Sequence, residues 1–137
     1  MIVGIGTDIV EIERIKNAIE KRGDRFLKKI YTEKEIAYCM NRKDPFPNFA
    51  VRFAAKEAFI KAASSAEKQR KIINISDFKK IEILNHPSGK PFINLLGSLK
   101  EMFKDELISH LSLSHERSYA LALVVLERKD IKNFYIK

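Results

Sequence analysis

The stretch Phe49–Ala66, FAVRFAAKEAFIKAASSA, most restricts the fold: it is alanine-rich and holds neither glycine nor proline. Alanine loses least on entering a helix, so these residues predict one long helix. Phe49, Phe53, Glu57 and Lys61 then form a row at spacing four. Ala50, Ala54, Ala58 and Ala62 form the adjacent row, a smooth face for close packing. Glu57 falls beside the packed stripe and not on the wettest side, so its carboxylate requires a partner. One candidate is Lys61, a turn further on, in an ordinary helix ion pair of about 0.2–0.5 kcal/mol. The other is a hard cation shared with a second carboxylate; magnesium takes one or two carboxylates, completed by phosphate oxygens and water.

Residues 2–8, IVGIGTD, read as a strand. The period of two places Gly4, Gly6 and Asp8 on one face and Val3, Ile5 and Thr7 on the other. The glycine face has no side chains, so another element can approach its backbone closely, and Asp8 ends that bare face. Taken alone, Asp8 is a helix N-cap, with Glu11 completing a capping box before a helix on Ile12, Ile15 and Ile19 that stops at Gly23. GIGTDI also resembles the start of a dinucleotide fingerprint, but Ile9 stands where the third glycine belongs.

Further along, Phe26, Leu27 and Ile30 mark a short amphipathic segment. Thr32 and Glu35 form a second capping box, opening a helix to about Met40. Asn41–Pro47 reads as a loop and 67–80 as a polar, basic loop. Ile81 and Ile83 alternate as a strand, HPSGKP is a turn, and PFINL returns. A short helix over 97–106 precedes LSLSHERSYALALVVLE, a hairpin with HERS at its turn. There His115 is a solvated turn residue or a phosphate contact, with Ser112 and Ser114 beside it. Residues 128–137 either add a strand or pack on a neighbour. Strands flanking a helical block make the class α+β. No repeat or linker divides the 137 residues, which are expected to form one domain over 1–137.

Composition narrows the partners. The net charge is +8, which favours something negative: nucleic acid, an anionic membrane, an acidic protein or a phosphorylated cofactor. No apolar run approaches a bilayer-spanning length. The single cysteine, Cys39, reads as a buried small hydrophobe, which fits a reducing, cytoplasmic home. Arg52, Lys56, Lys61 and Lys90 are possible anion partners, each with an ordinary surface charge as the simpler reading. A small basic RNA-binding module is the competing function. Its support is the net charge and residues 67–80, but the chain has no RNP-like aromatic strand and no GXXG clamp.

Three blocks together carry a resemblance. GIGTDIVEIERI at 4–15, RFAAKEAFIKA at 52–62, and SGKP at 88–91 with LSLSHERSYALALVVLE at 111–127 resemble bacterial holo-acyl-carrier-protein synthase, of the phosphopantetheinyl transferase superfamily. They follow the family's order over nearly the whole chain. The resemblance implies an α+β fold, mostly antiparallel sheet packed with helices, one of them long and alanine-rich. It implies transfer of the 4'-phosphopantetheine arm of coenzyme A to a serine of apo-acyl carrier protein, in fatty acid biosynthesis, with Mg2+ as cofactor. Asp8 and Glu57 match the family's metal carboxylates and Lys61 its phosphate-binding lysine; these three are the implied catalytic residues. Gly89, Lys90 and Pro91 of the GKP turn, with His115, match positions lining the coenzyme A groove. Arg42, Lys43 and Arg52 are implied 3'-phosphate partners. Arg14, Arg22 and Arg25 lie on the helical region that receives the acidic carrier. A homotrimer with active sites between subunits is implied, and neither nucleic acid nor membrane is an expected partner.

Overall fold

A computed structural model describes residues 1–66, 74–103 and 106–129. Strand β1 runs Ile2–Glu11 and leads into α1 (Ile12–Arg22), α2 (Asp24–Ile30) and α3 (Glu33–Met40). The long helix α4 covers Phe46–Ala66. A 3-10 helical turn at Ile75–Lys80 precedes β2 (Ile81–Asn85) and β3 (Pro91–Leu95). Helix α5 (Gly97–Phe103) and the hairpin of β4 (Leu107–Glu116) and β5 (Tyr119–Arg128) follow. The strands form two antiparallel sheets, one in the order β1-β5-β4 and the other β2-β3. The class is α+β, as the sequence predicts.

Helix α4 is the axis of the core. It is buried almost all round, through Phe49, Ala50, Ala54, Ala55, Ala58, Phe59, Ala62 and Ala63, and even through Arg52 and Lys56. The bare face of β1 lies on its alanine row. A Cβ built on Gly4 would overlap the Ala62 carbonyl oxygen, and one on Gly6 would overlap that of Ala58 and come within 2.8 Å of the Ala62 nitrogen. Both glycines are therefore demanded by the closeness of strand and helix. On the other side of the same sheet, Ile5, Ile9, Tyr119, Leu121 and Leu123 remain exposed.

Several local expectations hold. Gly23 ends α1 with φ of 57°, and Thr32 with Glu35 forms a complete capping box on α3. Cys39 is buried. Others need correction. Asp8 does not cap a helix: β1 continues three residues past it, paired with β5 as far as Glu11 opposite Tyr119, and Glu11 precedes α1 without a side-chain cap. The loop after α3 ends at Pro45, because Pro47 fits the first turn of α4, where its missing N–H is not needed. The hairpin turn is only Arg117–Ser118. His115 therefore lies within β4 opposite Ala120, on the sheet face opposite to Ser112 and Ser114. Of the expected 67–80 loop, 67–73 lie outside the described residues; 75–80 form the 3-10 turn, not a loop. The helix expected over 97–106 is described to Phe103, and the segment 130–137 also lies outside the described residues.

Candidate active site

The bare face of β1 and the Glu57 row of α4 meet at their edges, which brings three charged groups together. Lys61 Nζ lies 3.1 Å from Asp8 Oδ1 and donates to the Thr7 carbonyl at 3.0 Å. Lys61 thus pairs with Asp8 across the strand–helix contact, and not with Glu57 along its own helix. Asp8 is mostly shielded, with a side-chain exposure of 18%. Partial burial lifts Glu57's carboxyl above its ordinary pKa, and the negative charge of Asp8 lifts it further. Lys61 and Arg14 pull it back. Among the described residues no hydrogen-bond donor is spent on the Glu57 carboxylate.

Two neighbouring carboxylates, one shielded and one with spare acceptor capacity, are hard oxygen donors. No group of three or more His, Cys, Asp or Glu assembles among the described residues. That donor set fits magnesium, which completes its shell with water and substrate oxygens, better than zinc, which takes three or four protein ligands, mostly histidine and cysteine.

A second cluster lies on the β2–β3 side of α4. Arg52 is buried, correcting its reading as a surface charge. Its Nη2 donates to Asn85 Oδ1 at 2.6 Å and its guanidinium lies over the Tyr38 ring, 4.4 Å from the centroid. Arg42 sits on the same ring at 4.6 Å and donates to the Tyr38 hydroxyl. Asn85 donates in turn to the Gly89 carbonyl at 2.9 Å, so the Gly89–Lys90–Pro91 turn is tied through Asn85 to Arg52. Gly89 takes φ of 94°, which the turn requires and glycine supplies. A cavity of about 200 Å³ opens here, lined by Lys34, Tyr38, Arg52, Asn85 and Phe92 among others. Arg52 Nε is buried without a partner among the described residues. Tyr38 and Asn85 carried no signal in the sequence beyond the four-residue spacing of Tyr38 and Arg42. Lys43 and Lys90 are exposed nearby in sequence.

Lys56 is not an anion partner. Its ammonium is fully buried and donates to Glu35 Oε1 at 2.8 Å, the Phe78 carbonyl at 2.9 Å and the Ile81 carbonyl at 2.7 Å. Glu35 also accepts from the Thr32 and Ile83 backbone. This network ties α4 to α3 and β2, and so fixes the carboxylate cluster relative to the arginine cluster. His115 joins neither cluster through a hydrogen bond or ion pair among the described residues. Arg14 and Arg22 rim a second cavity, about 310 Å³, whose floor includes Ile15, Ala18, Phe26 and Phe53. Arg25 is exposed on α2, outside that lining.

Residues 4–124 match the family model of the 4'-phosphopantetheinyl transferase superfamily. The holo-(acyl-carrier-protein) synthase of Thermodesulfovibrio yellowstonii is 44% identical, over 92% of this chain and 99% of that protein. Among solved structures, that synthase from Neisseria meningitidis superposes with a TM-score of 0.80 at 35% identity, covering 93% of this chain and 100% of that one. The Bacillus anthracis synthase, in complex with CoA (3',5'-ADP), superposes with a TM-score of 0.73 at 37% identity, covering 94% and 99%.

Proposed function

Because the chain belongs to the 4'-phosphopantetheinyl transferase superfamily, we infer that it moves the 4'-phosphopantetheine arm of coenzyme A onto a serine of apo-acyl carrier protein. The products are holo-acyl carrier protein and adenosine 3',5'-bisphosphate. The observation that carries the mechanism is the placement of Asp8, Glu57 and Lys61 at one strand–helix edge. An RNA-binding module leaves that placement unexplained, since two adjacent carboxylates repel a phosphate backbone.

Asp8 and Glu57 would hold Mg2+, which supplies charge that grips a diphosphate and stabilises the developing negative oxygens. The rest is the work of side chains. The carrier serine oxygen bonds to the phosphorus next to pantetheine as the bond from that phosphorus to the bridging diphosphate oxygen breaks. Glu57, whose carboxylate no donor occupies among the described residues, is suited to take the serine proton, directly or through a water. Lys61 is placed to neutralise the diphosphate and the departing bisphosphate. Arg52 has an unspent buried Nε beside a cavity, and with Arg42 and Lys43 it suits the 3'-phosphate. Gly89, Lys90 and Pro91 form the turn beside that cavity and suit the coenzyme A groove.

The acidic carrier protein finds a complement in the α1–α2 cavity, whose rim is Arg14, Lys21 and Arg22 and whose floor is apolar. Arg25 is the outlying member of that basic surface. The exposed Ile5, Ile9, Leu121 and Leu123 on the outer sheet face support a homotrimer that covers them, with His115 reaching a neighbour's metal pair. Among the described residues no helix is long and apolar enough to cross a membrane. Residues 1–137 are read as one domain, acting in the cytoplasm.

The test is incubation with coenzyme A, Mg2+ and apo-carrier, followed by intact mass. Wild-type chain should add the phosphopantetheine mass to the carrier, while Asp8→Asn and Glu57→Gln, which remove charge but little volume, should be nearly inactive yet folded. No transfer by wild type to any apo-carrier, or near-normal rates in either variant at saturating Mg2+, would overturn the assignment.

A further inference from the structure

Lys61 does more in this structure than wait for a phosphate. Its ammonium already sits on Asp8 Oδ1 at 3.1 Å, and the Thr7 carbonyl at 3.0 Å gives it a second acceptor. Two acceptors on adjacent parts of β1 make this a seated position and not a chance approach. The carboxylate it occupies is one that a cation held by Asp8 and Glu57 would share. An ammonium and a divalent cation competing for one shielded carboxylate also repel each other.

The local charges show what resolves the competition. Asp8 and Glu57 contribute two negative charges, and Lys61 and the more distant Arg14 one positive charge each, so the cluster is close to neutral as it stands. Adding a divalent cation makes it net positive, which favours arrival of an anion. The Lys61 side chain is 54% exposed, so its stem is free to swing while α4 stays fixed. A diphosphate at the edge of the cluster offers the ammonium oxygens that are more charged than the Thr7 carbonyl. Such an acceptor replaces what Lys61 gives up on leaving Asp8.

We propose that Lys61 is a placeholder counter-ion: it occupies Asp8 until the diphosphate of coenzyme A draws it off, so that metal and coenzyme A each bind more tightly in the other's presence. The proposal rests on the reading of Asp8 and Glu57 as the metal pair. Linkage makes the effect reciprocal, so either ligand can be used to measure it. A lysine that served only as a phosphate ligand could also raise metal affinity when removed, by lifting its charge repulsion, but coenzyme A would then strengthen metal binding as much without it as with it.

The experiment is Mn2+ binding to the full chain, followed by loss of the free-ion electron paramagnetic signal. It is run with wild type, Lys61→Met, Lys61→Gln and Asp8→Asn, with and without coenzyme A, after subtracting Mn2+ complexed by coenzyme A in buffer. Without coenzyme A, both Lys61 variants should bind Mn2+ about 2- to 5-fold more tightly than wild type, the size of a part-exposed ion pair. The strengthening of Mn2+ binding by coenzyme A should be large in wild type and reduced in both variants by at least that factor. Equal or weaker Mn2+ affinity in the Lys61 variants without coenzyme A would overturn the placeholder role while leaving the metal pair standing. Undiminished strengthening by coenzyme A in those variants would do the same. If Asp8→Asn binds Mn2+ as wild type does, the metal-pair reading falls, and the placeholder with it.

Discussion

Gly6→Ala is a one-methyl change that should disable the site without touching it. The new Cβ would overlap the Ala58 carbonyl oxygen and lie 2.8 Å from the Ala62 nitrogen, both backbone atoms that cannot rotate away. Ordinary contact begins near 3.4 Å, so strand and helix must part by more than half an ångström to clear the nitrogen, and by about 1.4 Å to clear the oxygen. Overpacking of this kind costs about 1–3 kcal/mol, offset by about 0.4–1 kcal/mol because alanine restricts the unfolded chain. Net destabilisation is therefore modest, up to about 2.5 kcal/mol. The effect on rate is larger. Asp8 is two residues along the same strand, and Glu57 and Lys61 are carried by the helix being pushed away. A misplacement near 1 Å is worth about 100-fold in rate. The assay pairs urea denaturation with steady-state transfer at saturating coenzyme A. Phe103→Leu, a core change in α5, serves as a control of similar stability. Gly6→Ala should lose about 100-fold in kcat while Phe103→Leu keeps most of it. A folded Gly6→Ala with near-normal kcat would refute the argument that this contact sets the site.

Lys56→Met should cost about 3–5 kcal/mol in urea denaturation, because Glu35 is left as an uncompensated buried charge; a loss below about 1 kcal/mol would deny the network its tying role. Arg22→Glu should raise KM for the carrier protein far more than KM for coenzyme A, and wild-type association should weaken with salt; equal effects on both substrates would count against the basic-rimmed cavity. In the metal-free chain the Glu57 carboxyl, followed by NMR, should titrate above its ordinary range, because burial and the negative charge of Asp8 raise it, and Mg2+ should bring it down; an unraised carboxyl without metal, or no response to Mg2+, would refute the placement of Glu57 in the pair. Asp8→Ala and His115→Ala should each be poorly active yet regain partial activity when co-expressed as mixed trimers; no recovery in verified mixed trimers would sink the shared site.

What the sequence made legible was local. The Thr32–Glu35 capping box, the Gly23 stop and the glycine–glycine face of β1 each depend on residues within a few positions of one another, and each appears as expected. The failures share a cause. Asp8 had a good local role as a cap, but pairing of β1 with β5 through Glu11 gives that backbone hydrogen bonds a cap cannot match. Glu57 and Lys61 had a good local pairing, yet Lys61 turns to Asp8, 53 residues earlier, because the glycines bring that strand within reach. Arg52 and Lys56 looked like the wet side of an amphipathic helix. That inference assumes a helix has a wet side, and α4 is enclosed by the β1-β5-β4 sheet, β2, α1 and α3 along much of its length. Glu35 shows both outcomes in one residue: its capping role was readable, while its pairing with Lys56, 21 residues on, was not. The positions where tertiary contacts overrule local preference are therefore Asp8, Arg52, Lys56 and Lys61. Three of these lie in the two clusters proposed to grip the substrate, and the fourth fixes one cluster relative to the other. A chain that followed only its local preferences would keep its capping boxes and its helix ion pair, and would have no carboxylate pair to offer a cation.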